Sequence, residues 1–425
     1  MNPGALNSGV RTHARAEPAP GASPVALRND LLMIGGICCL LAILGWIVPG
    51  VVLRVAPAHD FMVFHTAARA YIEGNLPLLF DGVAFTARLN DSYTDWGFQP
   101  LAYRPWVYPP SFLLMVIPIG FLPFLLAYGI FLAITFALLI LAIRCYAPHG
   151  YPRWLCAGCL LLSPATADTV TAGQNSFLTT ALLVGGFGLV RRSPLLGGGL
   201  LGLLTCKPQF WLLVPVALVA ARKWKALASA IATAGLLALA SLATFGIEPW
   251  REWLTLMLGQ GALYQQWLLI GRNGGQSIYT DACLSGASAG VANLLQGVVT
   301  LSCAALVWWC FRFSGMRRDL RIALLLTATI LAAPHVAPYD AVMLTLAVSL
   351  FLCRAVKDGF RHGDVMLIVA VWGTELLNPP ILIRWGLVTP LVLCAFIAVL
   401  IARGRSDTAV RAGTPIRSPA GWMRA

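Results

Sequence analysis

The sequence predicts an all-α polytopic membrane protein, and three observations carry that prediction. Of its 425 residues, 58% are hydrophobic and only 11% are charged, against about 25% charged in ordinary soluble domains. Mean hydropathy is +0.77 over the whole length, which excludes a soluble domain with one anchor. Apolar runs recur near 31–53, 109–145, 155–170, 174–190, 195–220, 226–246, 287–312, 320–334, 338–353, 364–378 and 381–402. An upright span needs about 20 residues, so these runs predict about 10–12 transmembrane helices, several of them short.

Residues 1–30 are rich in Ala, Pro and Gly without apolar periodicity and read as a disordered N-terminus. The run at 31–53 is too long for a signal-peptide core, and no small-residue cleavage site follows it. It should persist as the first helix. One transmembrane domain is expected over 31–402, followed by a basic tail at 403–425.

Charge gives the orientation. With the N-terminus inside and simple alternation, the cytoplasmic segments hold 22 of the 30 cations but only 6 of the 17 acids. Lys and Arg gather on cytoplasmic loops, so both termini are expected in the cytoplasm of a bacterial inner membrane. The net charge of +13 is then topological. No basic reading face accompanies it, which excludes nucleic acid as a partner. Most of the eleven cysteines, Cys156-x-x-Cys159 included, fall inside apolar runs and read as small core residues.

The run 195–220 breaks the alternation, because Arg191-Arg192 precedes it and Arg222, Lys223 and Lys225 follow it. Two short helices meeting at Lys207-Pro208 restore the parity. Irregular backbone at depth is tolerated where it lines a cavity, so a buried Lys there implies a cavity and an anion. Two segments, 54–108 and 247–286, face the other side, and their Tyr and Trp content suits a membrane interface. Phe61–Glu73 and Trp250–Leu269 read as helices lying along it.

The same topology gathers polar groups at the outer ends of the spans: Asp60, Asp168, Gly173-Gln174-Asn175, Lys207-Pro208-Gln209, His335, Tyr339-Asp340, and Glu375 with Asn378-Pro379-Pro380. Ionisable groups at membrane depth are costly to bury and point to function. Converging at one level, they predict an extracytoplasmic site that takes a lipid-linked substrate from the bilayer. Each residue also has a structural reading. By position alone Asp60 is a helix N-cap, and His335 satisfies a carbonyl at a helix end. Lys207 pairs with Asp168 or another outward acid. Gln174 and Asn175 either bind sugar hydroxyls or cap the following helix. Tyr108 and Arg272 contact a lipid phosphate or belong to the interfacial belt, and Asp340 caps a helix or pairs with an Arg.

His59-Asp60-Phe61, Ala67-Ala68-Arg69-Ala70 with Gly74, Tyr108-Pro109-Pro110, Gly173-Gln174-Asn175, Lys207-Pro208-Gln209, and Pro334-His335 with Tyr339-Asp340 follow one another in an order that resembles glycosyltransferase family 87, of the GT-C fold. The resemblance covers roughly residues 31–350. It implies a transferase that takes a hexose, mannose in the mycobacterial members, from a polyprenyl-phosphate sugar to a lipid or glycan acceptor. It also implies that Asp60 is the general base, with a pKa raised by poor solvation. His335 then assists Asp60 or the phosphate. Lys207, with Arg272 and Tyr108, offsets the donor phosphate's charge. Gln174, Asn175, Asp168 and Asp340 bind sugar or acceptor. No HExxH or Cys/His pair is present, and Asp91 with Asp95 is a weak pair, so metal independence and no cofactor are expected. A secondary transporter is the alternative, since broken helices and midplane charges suit it too.

Overall fold

The computed structural model describes residues 24–47, 57–94, 100–101, 103–146, 153–258, 277–374 and 388–411. Among them every regular element is helical, which makes the chain an all-α polytopic membrane protein. The first helix, α1 (Pro24–Ile47), begins before the apolar run at 31, with proline at its first position, where a missing N–H costs nothing. The rest of the expected N-terminal disorder lies outside the described residues.

The segment after it folds into α2 (His59–Ile72) and α3 (Gly82–Ser92). The run at 109–145 divides at Leu122-Pro123 into α4 (Pro110–Val116), extended by a 3₁₀ turn to Phe121, and α5 (Phe124–Tyr146). α6 (Arg153–Leu161) and α7 (Pro164–Ala172) meet at a 54° bend across Ser163-Pro164. After α8 (Ser176–Leu189) the chain turns back through α9 (Pro194–Leu203), a 3₁₀ turn and the short α10 (Pro208–Trp211) into α11 (Leu213–Ala220). The expected break at Lys207-Pro208 is therefore present. α12 (Trp224–Phe245), α13 (Glu248–Met257) and α14 (Ile278–Leu284) follow. The last five helices are α15 (Ala289–Arg312), α16 (Arg318–Ala332), α17 (Val342–Asp358), α18 (Asp364–Thr374) and α19 (Val388–Arg411). α19 continues past Arg403, because Arg403 turns inward to pair with Asp364 on α18.

Five helices among the described residues are long and apolar enough to cross a membrane: α5, α12, α15, α17 with the turn before it, and α19. The bent α6–α7 pair makes a sixth. Six shorter apolar helices of 10–17 residues accompany them among the described residues, two of which are the halves of the run broken at Lys207-Pro208. α5, α12 and α15 expose Leu125, Ile134, Leu236, Leu239, Leu294 and Leu301, a lipid-facing pattern.

The interior holds two apolar clusters. The larger surrounds α8, α16 and α17, with Leu183, Leu325 and Phe351 at its centre. The smaller is aromatic and built on α2 and α4 from Phe61, Phe64, Phe85, Trp106 and Phe112. α2 is thus a helix as expected, but it is enclosed by protein instead of lying on an interface. Ala67, Ala68 and Ala70 let neighbouring backbone close over it. Of the stretch Trp250–Leu269, α13 covers the part to Met257; residues 259–276 lie outside the described residues. Close approach also joins α9 to α12, where a Cβ on Gly198 or Gly202 would lie 2.2 or 2.5 Å from the Ala226 or Ala230 carbonyl oxygen.

Candidate functional site

The two clusters meet at a cavity of about 170 Å³. Asp60 enters it from the first turn of α2, but it caps nothing. The N-cap is Ala58, held in the left-handed region at φ 59° while its N–H donates to Thr171 O at 2.6 Å. That conformation is rare for a residue with a Cβ, and it fixes the start of α2 against α7. The capping reading of Asp60 is therefore replaced by a different arrangement. Asp60 Oδ2 accepts from Gln174 Nε2 at 2.9 Å, and Oδ1 lies 3.8 Å from the Arg104 guanidinium and 3.6 Å from His59 Nε2. Burial pushes the carboxyl pKa up, as expected. His59, Arg104, the Gln174 hydrogen bond and Lys207 together outweigh it and leave the pKa below the usual carboxylate value. Asp60 is an ionised group, and the expectation of a raised pKa is corrected.

Gln174 reaches Asp60 because Gly173 ends α7 at φ 75° directly against α2. A Cβ at Gly173 would stand 2.4 Å from that of Phe61, so the position excludes side chains twice over. The Gln174 amide is used at both ends. Its oxygen accepts from Tyr108 Oη at 3.0 Å and from the Asn175 N–H at 3.2 Å. Its nitrogen donates to Asp60 and to Tyr339 Oη, the latter at 3.2 Å. The Asn175 donor and the Asp60 acceptor fix which end is which. Burial, with Asp60 and Asp340 nearby, holds the Tyr108 hydroxyl neutral and able to donate.

Lys207 sits at the helix break, 5% exposed. Its Nζ is 2.6 Å from Asp340 Oδ1 and lies over the rings of Tyr339 and Phe210 at 5.0 and 5.4 Å. Asp340 also accepts from Ser176 Oγ at 3.1 Å and from the Ala337 N–H at 3.1 Å. The partner of Lys207 is thus Asp340 and not Asp168.

Asp60, Tyr108, Gln174, Lys207, His335 and Asp340 all line the cavity. Asp168 does not. Asn175 holds the N-cap position of α8, but its buried side chain makes no hydrogen bond among the described residues. Arg272 lies outside the described residues. His335 has its ring against Tyr279 at 5.9 Å, and burial keeps its pKa low. It makes no hydrogen bond to Asp60; Gln174, Arg104 and His59 hold that carboxylate instead.

Three further contributors carried no sequence signal. Arg104 supplies a second cation from an extended segment, its N–H fixed on Thr86 Oγ1 at 2.9 Å. Trp253 on α13 covers one side, donating its indole N–H to Val107 O at 3.1 Å. Gln296, buried on α15, donates to Leu331 O and Ala332 O and accepts from the Tyr279 N–H at 3.1 Å. It joins the end of α16 to α14 and so places His335 and Thr280 on the wall. Among the described residues, no three His, Cys, Asp or Glu side chains gather in metal-binding geometry.

No curated protein and no solved structure matches the chain. The family described as glycosyltransferase family 87 matches residues 106–338, a segment that carries Tyr108, Gln174, Lys207 and His335. Asp60, Arg104, Tyr339 and Asp340 lie outside it and are brought to the same cavity by the fold. Because the match takes in more than half of the sequence, the chain belongs to glycosyltransferase family 87 and is a membrane glycosyltransferase.

Proposed function

We propose that the protein moves a hexose, mannose, from a polyprenyl-phosphate sugar to a hydroxyl of a lipid or glycan acceptor, with Asp60 as general base. The observation that carries this reading is the Asp60 carboxylate facing the same cavity as two cations, Arg104 and the Lys207 that is paired with Asp340. A sugar hydroxyl is a poor nucleophile until a base takes its proton. In the proposed step the acceptor O–H proton passes to Asp60 as the oxygen bonds to the anomeric carbon. The bond from that carbon to the phosphate oxygen breaks, and its electron pair leaves with the polyprenyl phosphate. Lys207 and Arg104 offset that charge as it develops. Attack opposite the phosphate inverts the anomeric centre and forms no covalent glycosyl-enzyme.

Gln174 acts here as a positioning residue, since its amide is occupied by Asp60, Tyr108 and Tyr339. His335 contributes a neutral imidazole toward the phosphate side. Asp168 is assigned to the acceptor, and Arg272, which lies outside the described residues, to the lipid phosphate. The scheme needs no metal. Incubating purified protein with radiolabelled polyprenyl-phosphate mannose, polyprenyl-phosphate glucose and membrane extract tests it: label should pass to a lipid or glycan with release of polyprenyl phosphate. Transfer from nucleotide sugars alone would refute the donor assignment.

The distribution of cations supports a cavity on the extracytoplasmic side of a bacterial inner membrane, with both termini cytoplasmic. Ser92 is exposed at the end of α3. A cysteine there should react with an impermeant maleimide before the inner membrane is broken. Reaction only after lysis would reverse the orientation.

A further inference from the structure

Three chain segments that reach the Asp60 cavity have their other ends in a second one. α8 begins beside Gln174 and ends at Val190-Arg191. α16 starts at Arg318 and ends just before His335. The chain from Lys207 through α10 and α11 arrives at Ala221 and Lys223. With 14 residues in α8, the two cavities stand roughly 20 Å apart. The second has a volume of about 270 Å³.

Its charged lining is entirely cationic: Arg191, Lys223, Arg318 and Arg321, against Phe311 and other apolar side chains. Two of the four are held in place. Arg318 Nη2 donates to the last carbonyls of α8, Phe187 O at 3.2 Å and Gly188 O at 2.7 Å. Arg321 donates to Met316 O at 3.1 Å, with its guanidinium 5.5 Å over the Phe311 ring. The side chains of Arg191 and Lys223 have no hydrogen-bond partner among the described residues. Asp319, in the first turn of α16, does not line the cavity and faces Arg317 at 3.8 Å. Four like charges converging from three elements on one half-open pocket repel one another. A single anion of matching size relieves all four at once, and planar guanidinium forks suit the oxygens of a phosphate.

We propose that this second cavity binds a phosphate group, that of an anionic membrane lipid or of a soluble phosphate, remote from the transfer site. The arrangement is that of basic pockets between membrane helices that take lipid headgroups. None of the four cations is part of the proposed transfer machinery, so the site stands whether or not the donor assignment holds.

The sequence has only four lysines, Lys207, Lys223, Lys225 and Lys357, which makes amine footprinting decisive. Full-length protein in phosphatidylcholine nanodiscs would be acylated alone, with phosphatidylglycerol added to the bilayer, or with inorganic phosphate, and Lys223 compared with exposed Lys225 by peptide mass spectrometry. Phosphatidylglycerol should slow Lys223 relative to Lys225 by about fivefold, the effect expected for one basic side chain at a lipid phosphate. Arg191→Gln should abolish that difference. Protection by inorganic phosphate alone would assign the site to a soluble phosphate. If Lys223 and Lys225 slow in parallel, the effect is surface charge and the proposal is wrong. Undiminished selective protection in Arg191→Gln would likewise overturn it.

Discussion

Asp60→Asn is expected to fold, bind donor lipid and lose turnover by about 10²–10⁴, the usual contribution of a positioned general base. The substitution keeps the shape, and the asparagine carbonyl still accepts from the Gln174 amide that now holds Asp60. Capping confounds nothing, because Ala58 and not Asp60 occupies the N-cap. Removing the carboxylate leaves Arg104 and Lys207 in place, so donor affinity should hold or rise while kcat falls. Asp81→Asn is the matched control, since Asp81 caps α3 away from the cavity, a role asparagine fills equally well, and it should stay within a fewfold of the parent. The pH dependence has a defined sign. A carboxyl whose folded pKa is lowered is ionised above its ordinary value, and the stability it adds there is lost as pH falls through the folded pKa. Asp60 should therefore produce no loss of activity between neutral pH and the ordinary carboxylate range. An acid limb near pH 6 that persists in Asp60→Asn would belong to another group. Substantial turnover in Asp60→Asn would remove Asp60 from the base role.

Lys207→Met has two effects that must be separated. It strips a cation from the cavity, which should slow transfer by about 10²–10³. It also leaves the buried Asp340 carboxylate with only Ser176 Oγ and the Ala337 N–H as partners. Breaking a buried pair in this way costs about 3–5 kcal/mol of stability. The double variant Lys207→Met with Asp340→Asn restores neutrality and should recover most of the lost thermal stability while remaining slow. Recovery of turnover along with stability would show that Lys207 is only the partner of Asp340. A stable, slow double variant shows that the pair acts in transfer and not only in holding the fold.

Much of this fold could be read from local features. The break at Lys207-Pro208 was legible because proline lacks an N–H and the flanking cations demanded an even number of passes. The apolar runs marked nearly every helix. What joins them was not legible, since side-chain partners are chosen across the chain. Lys207 meets Asp340 over 133 residues, and Gln174 meets Asp60 over 114. No periodicity encodes either contact. α2 was legible as a helix but not as a buried one, because its alanines look permissive until the 3₁₀ turn after α4 is seen packed on them: a Cβ on Gly120 would stand 2.8 Å from that of Ala68. Arg104 was overlooked because it lies in an extended segment among aromatic residues, without a motif. The raised pKa expected for Asp60 failed for the same reason, as burial is local while the cations that counter it are distant in sequence.

The inner and outer helices of the protein differ in length. α5, α12 and α15 have 23, 22 and 24 residues, about 33–36 Å of helix, while α8 and α16 have 14 and 15, about 21–23 Å. These three long helices face outward, whereas the two short ones are enclosed, as is α17. A change in acyl-chain length is therefore met by tilting at the rim, at fractions of a kcal/mol per Å of mismatch. The enclosed helices have little lipid contact through which to feel it. The separation between the acidic–basic cavity and the purely basic one is set by protein packing, so the geometry of both is insulated from the thickness of the surrounding bilayer.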